Sequence, residues 1–200
     1  KPMVTVGNIP IIERQVLQLR AFGVVNIYIS INYLGNIIKE YFQSGEAWSV
    51  NIEYLEEDSS YGTAGPLSLM PYYKNILMIN GDILTDVNYN ALFSYHISHN
   101  AAMTVAAIGH QVNIPYGVLE IDQNILKSIQ EKPSQRFQCN AGIYMLSYDI
   151  LRFVPKASYF DVTHLIEKLM LNNILITVFP IYENWIDIGT PEQLKLARSI

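Results

Sequence analysis

An α/β domain with a mixed, mostly parallel sheet flanked by helices is the fold class this sequence predicts, and three observations predict it. Between residues 10 and 80, helical and strand periodicities alternate, the order that right-handed crossovers between parallel strands require. Stretch 75–80, "NILMIN", is apolar without alternation, as strands covered on both faces are. It then delivers Gly81 and Asp82, placing a carboxylate at the carboxyl end of a strand, where open α/β sheets bind ligands.

The elements follow in order. "VGNIP" reads as a turn, and Pro10 suits the first turn of a helix carrying Ile11, Ile12, Gln15, Val16 and Leu19 at helical spacing, with Gly23 as its C-cap signal. Strand "VVNIYIS" comes next. Leu34, Ile37, Ile38, Tyr41 and Phe42 mark an amphipathic helix stopped by Gly45. "VNIEYLEE" is a strand, "GTAGPLSLM" opens a short helix, and "NILMIN" is the third strand. After a helix at 89–100 the pattern changes to closely spaced strands, "MTVAAIG", "YGVLEID", "ILKSIQEK" and "CNAGIYML", with "IDQN" as a hairpin signal. A helix at 162–171, a strand "ILITVFPI" and a helix from Pro191 complete the chain. Leu165, Ile166, Leu169 and Met170 form the apolar stripe of the first of these helices.

Two hundred residues, half of them hydrophobic, suffice for one buried core. A net charge of -5, with only 13 lysines and arginines spread along the chain, argues against a nucleic-acid surface. No apolar run reaches the roughly 18 residues of a membrane-spanning helix. One cysteine, Cys139, makes no internal disulfide, and no signal-peptide pattern opens the sequence, so a cytoplasmic setting is expected. Cys139 reads as a small hydrophobe in a strand. His96 and His99 lie three apart in a helix, but no further ligand completes a zinc site.

Neither G-x-G-x-x-G nor G-x-x-x-x-G-K-[ST] occurs, which demotes a nicotinamide-linked oxidoreductase and a P-loop kinase. What remains is a series of short signals: "KPM" at Lys1, "YGTAGPL", "NGDIL", "PYGVLEID", "QEKPS", "CNAGIY" and "WIDIGTPEQL". In that order, over nearly the whole chain, they resemble the sugar-1-phosphate nucleotidylyltransferases, nearest to the bacterial mannose-1-phosphate guanylyltransferase-like branch. The resemblance implies a Rossmann-like nucleotide-diphospho-sugar transferase fold, GT-A-like. It also implies the transfer of a nucleotidyl group from a nucleoside triphosphate, GTP in that branch, to a sugar 1-phosphate, assisted by Mg²⁺. The family's glycine-rich loop and first strand are expected upstream of Lys1. Residues 1–200 are therefore read as a single, N-terminally incomplete nucleotidyltransferase domain, inactive alone, with room for a regulatory domain further upstream. Members of the family commonly associate, which leaves a homo-oligomer open.

Residue roles carried by the resemblance are these. Asp82 and Asp187 hold the cation, and Lys1 of the Lys-Pro element meets phosphate. Gly62, Thr63, Ala64 and Gly65, with Gly81, border the nucleotide. Glu131 meets the sugar and Lys132 its phosphate, while Asn140 and Gly117 line the sugar site. From the residues alone each has a plainer reading. Asp82 is a turn acid, Asp187 a capping or loop acid, and Gly62 to Gly65 a loop-to-helix junction with Thr63 as a cap. Glu131 and Lys132, adjacent before Pro133, form a solvated turn or point to opposite sides if the extended geometry persists. Asn140 reads as a cross-strand hydrogen bonder and Gly117 as a strand-start turn. A catalytically silent nucleotidyltransferase-like domain that binds nucleotide sugars or a partner subunit is the competing hypothesis.

Overall fold

The computed structural model describes residues 2–33 and 35–198. A two-rung hairpin, β1 (Thr5–Val6) and β2 (Ile9–Pro10), turns at Gly7 and leads into α1 (Ile11–Ala21). The inward face of α1 is Ile11, Ile12, Gln15, Val16 and Leu19. It ends in a Schellman motif: Gly23 has φ +85°, its amide donates to Arg20, and the Val24 amide donates to Leu19.

Strand β3 (Asn26–Ile31), α2 (Gly35–Phe42) and β4 (Asn51–Glu56) form a crossover whose two strands pair in parallel. A 3₁₀ turn over Gly65–Leu69 precedes β5 (Asn75–Ile79). Then come β6 (Ile83–Thr85), α3 (Tyr89–Ser98), β7 (Met103–Asn113), the hairpin of β8 (Val118–Asp122) and β9 (Ile125–Gln130), β10 (Ser134–Ser147), α4 (Val162–Leu171), β11 (Ile176–Ile181), β12 (Trp185–Asp187) and α5 (Pro191–Ala197).

The largest sheet runs β11, β7, β10, β5. Strand β7 is parallel to β11 and antiparallel to β10, which is antiparallel to β5. Strands β5, β7 and β11 thus share one direction and β10 alone is reversed: mixed, and mostly parallel. Both faces are covered. Met103, Tyr144, Leu146, Leu165 and Leu169 pack on one side, and Ala106, Ile143, Met145, Ile83 and Leu92 on the other. This is why these strands read as continuous apolar runs. Leu165 and Leu169 are fully buried, and truncating either to alanine costs about 2–5 kcal/mol. Met170, expected in the same stripe, is 64% exposed, one helical step beyond the contact.

Two sheet edges face each other unpaired. Among the described residues β3 pairs with β4 alone and β5 with β10 alone. Between them lies a cleft of about 880 Å³, lined by Ile27 and Ile29 of β3 and by Ile76 to Ile79 of β5.

Candidate functional site

Four residues, Asn80 to Ile83, make the sharp turn after β5. The Ile83 amide donates back to the Asn80 carbonyl at 3.3 Å, closing a turn with Gly81 and Asp82 at its centre. Short strand β6 follows and pairs antiparallel with β12, setting Asp187 opposite Ile83. The Ile188 amide donates to the Asp82 carbonyl at 2.9 Å. Two acids separated by 105 positions therefore come from adjacent backbone segments, one in the turn before β6 and one at the end of β12. Neither short strand was expected from the sequence, although both acids were.

A third segment closes on the same turn. Strand β10 is irregular between Asn140 and Tyr144, where Gly142 takes φ +70°. Its carbonyl accepts from the Asn80 amide at 2.9 Å, and a Cβ at Gly142 would stand 2.7 Å from Asn80 Nδ2. Asn140 holds the irregularity: its Oδ1 accepts from the Gly142 amide at 3.0 Å and its Nδ2 donates to the Tyr144 hydroxyl at 2.8 Å. Burial pushes that hydroxyl's pKa up, and the Asn140 bond opposes the shift. Both bonds stay within β10, bridging its irregularity, where the plainer reading expected a bond across strands. The Trp185 indole donates to the Ala141 carbonyl at 2.8 Å, tying β12 to the same place.

Helix α1 reaches the turn from below. Gln15, buried, donates from Nε2 to the carbonyls of Asn80 at 2.9 Å and Ile83 at 2.8 Å. Sequence reading counted Gln15 only as part of the helical stripe; a polar residue inside that stripe was the available signal.

The glycine turn lies on the same cleft. Gly62 and Thr63 line it together with Gln15, Asn80, Gly81 and Asp82. Gly62 has φ +71°, and a Cβ there would meet Asp161 Oδ1 at 2.8 Å. The turn is gripped by a strap at 158–161. The Ala64 and Gly65 amides both donate to the Phe160 carbonyl at 2.9 Å, and the Phe160 amide donates to Tyr61 at 2.8 Å. Asp161 Oδ1 accepts from the Thr63 amide at 3.0 Å and from its hydroxyl at 3.2 Å, while that hydroxyl accepts from the Val162 amide at 2.8 Å. Thr63 therefore caps α4, not the 3₁₀ turn that follows it. Ala64 and Gly65 are buried behind the turn, and only Gly62 and Thr63 face the cleft.

The sugar-side candidates form a separate group. Strands β7 and β10 continue past the end of β5 as an arm, with Asn113 opposite Ser134. Because Ile143 pairs with Ile79, the arm leaves the sheet at the end that carries Asp82. Gly117, Glu131 and Lys132 meet on this arm: a Cβ at Gly117 would lie 3.0 Å from Glu131 Oε2, and the Lys132 amide donates to Tyr116 at 3.2 Å. Lys132 has φ +45°, so the extended geometry does not persist beyond Gln130. None of the three lines the cleft. Lys1 lies outside the described residues.

His96, from the His96/His99 pair, is buried and bonded through Nδ1 to the Thr104 hydroxyl at 2.8 Å. It serves the core. Cys139 is half-buried in β10. Among the described residues no group of three or more His, Cys, Asp or Glu forms a metal cluster. Two strand-end aspartates without a third acid suit Mg²⁺, which takes one or two carboxylates and fills its shell with substrate phosphate and water.

The model of the family described as nucleotidyl transferase matches residues 1–199. The chain belongs to that family. It is 28% identical over 204 residues to a mannose-1-phosphate guanyltransferase of Schizosaccharomyces pombe and 29% identical over 217 residues to one of Candida albicans, covering 96% of this chain and 56% of each relative. This nucleotidyl transferase chain thus spans just over half the length of those relatives. HddC from Yersinia pseudotuberculosis superimposes with a TM-score of 0.77 at 23% identity, covering 99% of this chain and 88% of that one. A second HddC structure, complexed with GMP-PN, gives 0.75 at 22% identity, with the same coverage. The shared fold is that of the nucleotide-diphospho-sugar transferases.

Proposed function

We propose that this chain supplies the catalytic domain of a sugar-1-phosphate nucleotidyltransferase that takes GTP. A phosphate oxygen of the sugar 1-phosphate attacks the α-phosphorus of the triphosphate. The new P–O bond forms as the bond to the β-phosphate oxygen breaks, giving a nucleotide sugar and pyrophosphate. One observation carries the reading: pairing of β6 with β12 brings the backbone at Asp187 beside the turn that holds Asp82, and that turn lines a cleft that the glycine turn also lines. The guanyltransferase relatives support the choice of base and sugar phosphate.

Asp82 and Asp187 would hold the cation, Mg²⁺. When bound, it screens the repulsion between two polyanions and stabilises charge in the transition state. Gly62 offers backbone without a side chain to the nucleotide. The arm presents Glu131 to sugar hydroxyls and Lys132 to the sugar phosphate. Asn140, fixed at the irregularity, lies between arm and acid turn. A silent binding domain has no chemical need for both acids.

We further infer that the active chain carries one more strand, extended and apolar, between β3 and β5. Two open edges across an apolar cleft support this, because a buried edge leaves its N–H and C=O groups unpaired. Tyr89 adds to it. This residue is buried on the same cleft, and its hydroxyl has no hydrogen-bond partner among the described residues. Pro2 sits at the mouth of the cleft, where a Cβ on Gly81 would meet it at 3.2 Å. The chain would work in the cytoplasm, as a homo-oligomer; no described helix is long and apolar enough to cross a membrane.

Pyrophosphate release from GTP and mannose 1-phosphate tests the reading on a chain extended upstream. Asp82→Asn and Asp187→Asn are each expected to abolish release while leaving the thermal midpoint nearly unchanged. Full activity in both variants ends the metal assignment, and robust turnover by residues 1–200 alone ends the need for the added strand.

A further inference from the structure

We propose that Gln15 is a positioning residue for the cation site, acting through the turn that carries Asp82. The inference rests on the metal reading of Asp82 given above. Gln15 is the one polar member of a helix face otherwise made of Ile11, Ile12, Val16 and Leu19. A leucine would fill that place without desolvating an amide, whose burial costs about 1–3 kcal/mol unless its hydrogen bonds are made. Both bonds made by Nε2 go to a single target, the carbonyls of Asn80 and Ile83. These bracket Gly81 and Asp82, so one planar amide fixes the span across which the acid is presented.

Backbone bonds among the described residues also tether the turn: Asn80 to Gly142, Ile83 to Asn80, and Ile188 to Asp82. Gln15 adds a side-chain link. It also couples the turn to α1, whose own start is bonded to the N-terminal segment through the Ile12 amide and the Pro2 carbonyl at 3.1 Å. A carboxylate serving as one of only two ligands depends on such outer support, since a small cation with strict octahedral preference tolerates little wander in its few fixed oxygens.

The test uses Mn²⁺ alone as a spectroscopic probe, with free ion followed by electron paramagnetic resonance during titration of the full-length protein. Gln15→Met keeps the length and apolar bulk of the side chain and removes both donors. Mn²⁺ affinity is expected to fall about 10–100-fold, the range typical of lost outer-shell partners, with the far-ultraviolet dichroism retained. In turnover, half-saturating Mg²⁺ should rise while the KM for triphosphate at saturating Mg²⁺ stays put. A folded Gln15→Met variant that binds Mn²⁺ as the unaltered chain does overturns the proposal. Should that variant fail to fold, Gln15→Leu, which likewise carries no donor, takes its place under the same criterion. If Asp82→Asn binds Mn²⁺ as well as the unaltered chain, the metal reading itself has failed and the role of Gln15 falls with it; if only the Gln15 variants are silent, the metal reading stands.

Discussion

Replacing Asp161 by alanine would release the glycine turn from its strap, and the structure sets the expected size of the effect. The carboxylate accepts hydrogen bonds from the Thr63 amide, the Thr63 hydroxyl and the Tyr159 hydroxyl, at 3.0, 3.2 and 2.7 Å. Each such bond contributes a net of about 0.5–1.5 kcal/mol. Tyr159 is 61% exposed and the carboxylate is open to solvent, so the lower half of that range applies and the sum is about 2 kcal/mol. For a domain of this size each kcal/mol moves the melting temperature by about 2–4 °C. A loss of about 4–8 °C near pH 7 is therefore expected for Asp161→Ala. The bond from Tyr159 first, then that from the Thr63 amide, holds the Asp161 carboxyl below its ordinary value of 3.8. A carboxyl depressed in the folded state stabilises fully above its unfolded pKa and loses that contribution as pH falls through the folded value. The gap between unaltered and variant chains should narrow below about pH 4. Thermal unfolding followed by circular dichroism across pH 3–7 measures both. Equal melting temperatures at pH 7 would refute the clamp, and a gap unchanged down to pH 3 would refute its ionic character.

Two further outcomes follow from the same geometry. Gly142→Ala must hold φ +70° and drive a Cβ toward Asn80 Nδ2, a strain of about 1–3 kcal/mol; denaturant titration should show that loss, and pyrophosphate release should fall with it because the acid turn shifts. His96, buried, has its pKa lowered by desolvation, so the folded chain should lose stability as pH falls below about 6.5, and His96→Phe should flatten that slope in melting temperatures taken between pH 7 and 5.

Sequence by itself determined the elements and the list of chemical groups. Period and length fixed α1, α3 and α4, and continuous apolar runs fixed β5 and the inner halves of β7 and β10, because both faces of those strands are covered. Asp82 drew notice because it follows an apolar strand, and Asp187 because the motif order around it resembles one family. What the residues could not convey was proximity. Strands β6 and β12 are three residues each, too short for any periodicity, and yet their register is what brings the backbone at Asp187 beside the Asp82 turn. Gln15 showed only as a polar residue in an apolar stripe, because its partners are backbone carbonyls 65 and 68 positions away, which have no side-chain signature. Thr63 and Asp161 were separated by 98 residues. Local pattern decides which way a side chain leans within its own helix or strand. Only the tertiary structure decides what stands opposite, because hydrogen bonds and metal ligation depend on distances between segments that chain order does not encode.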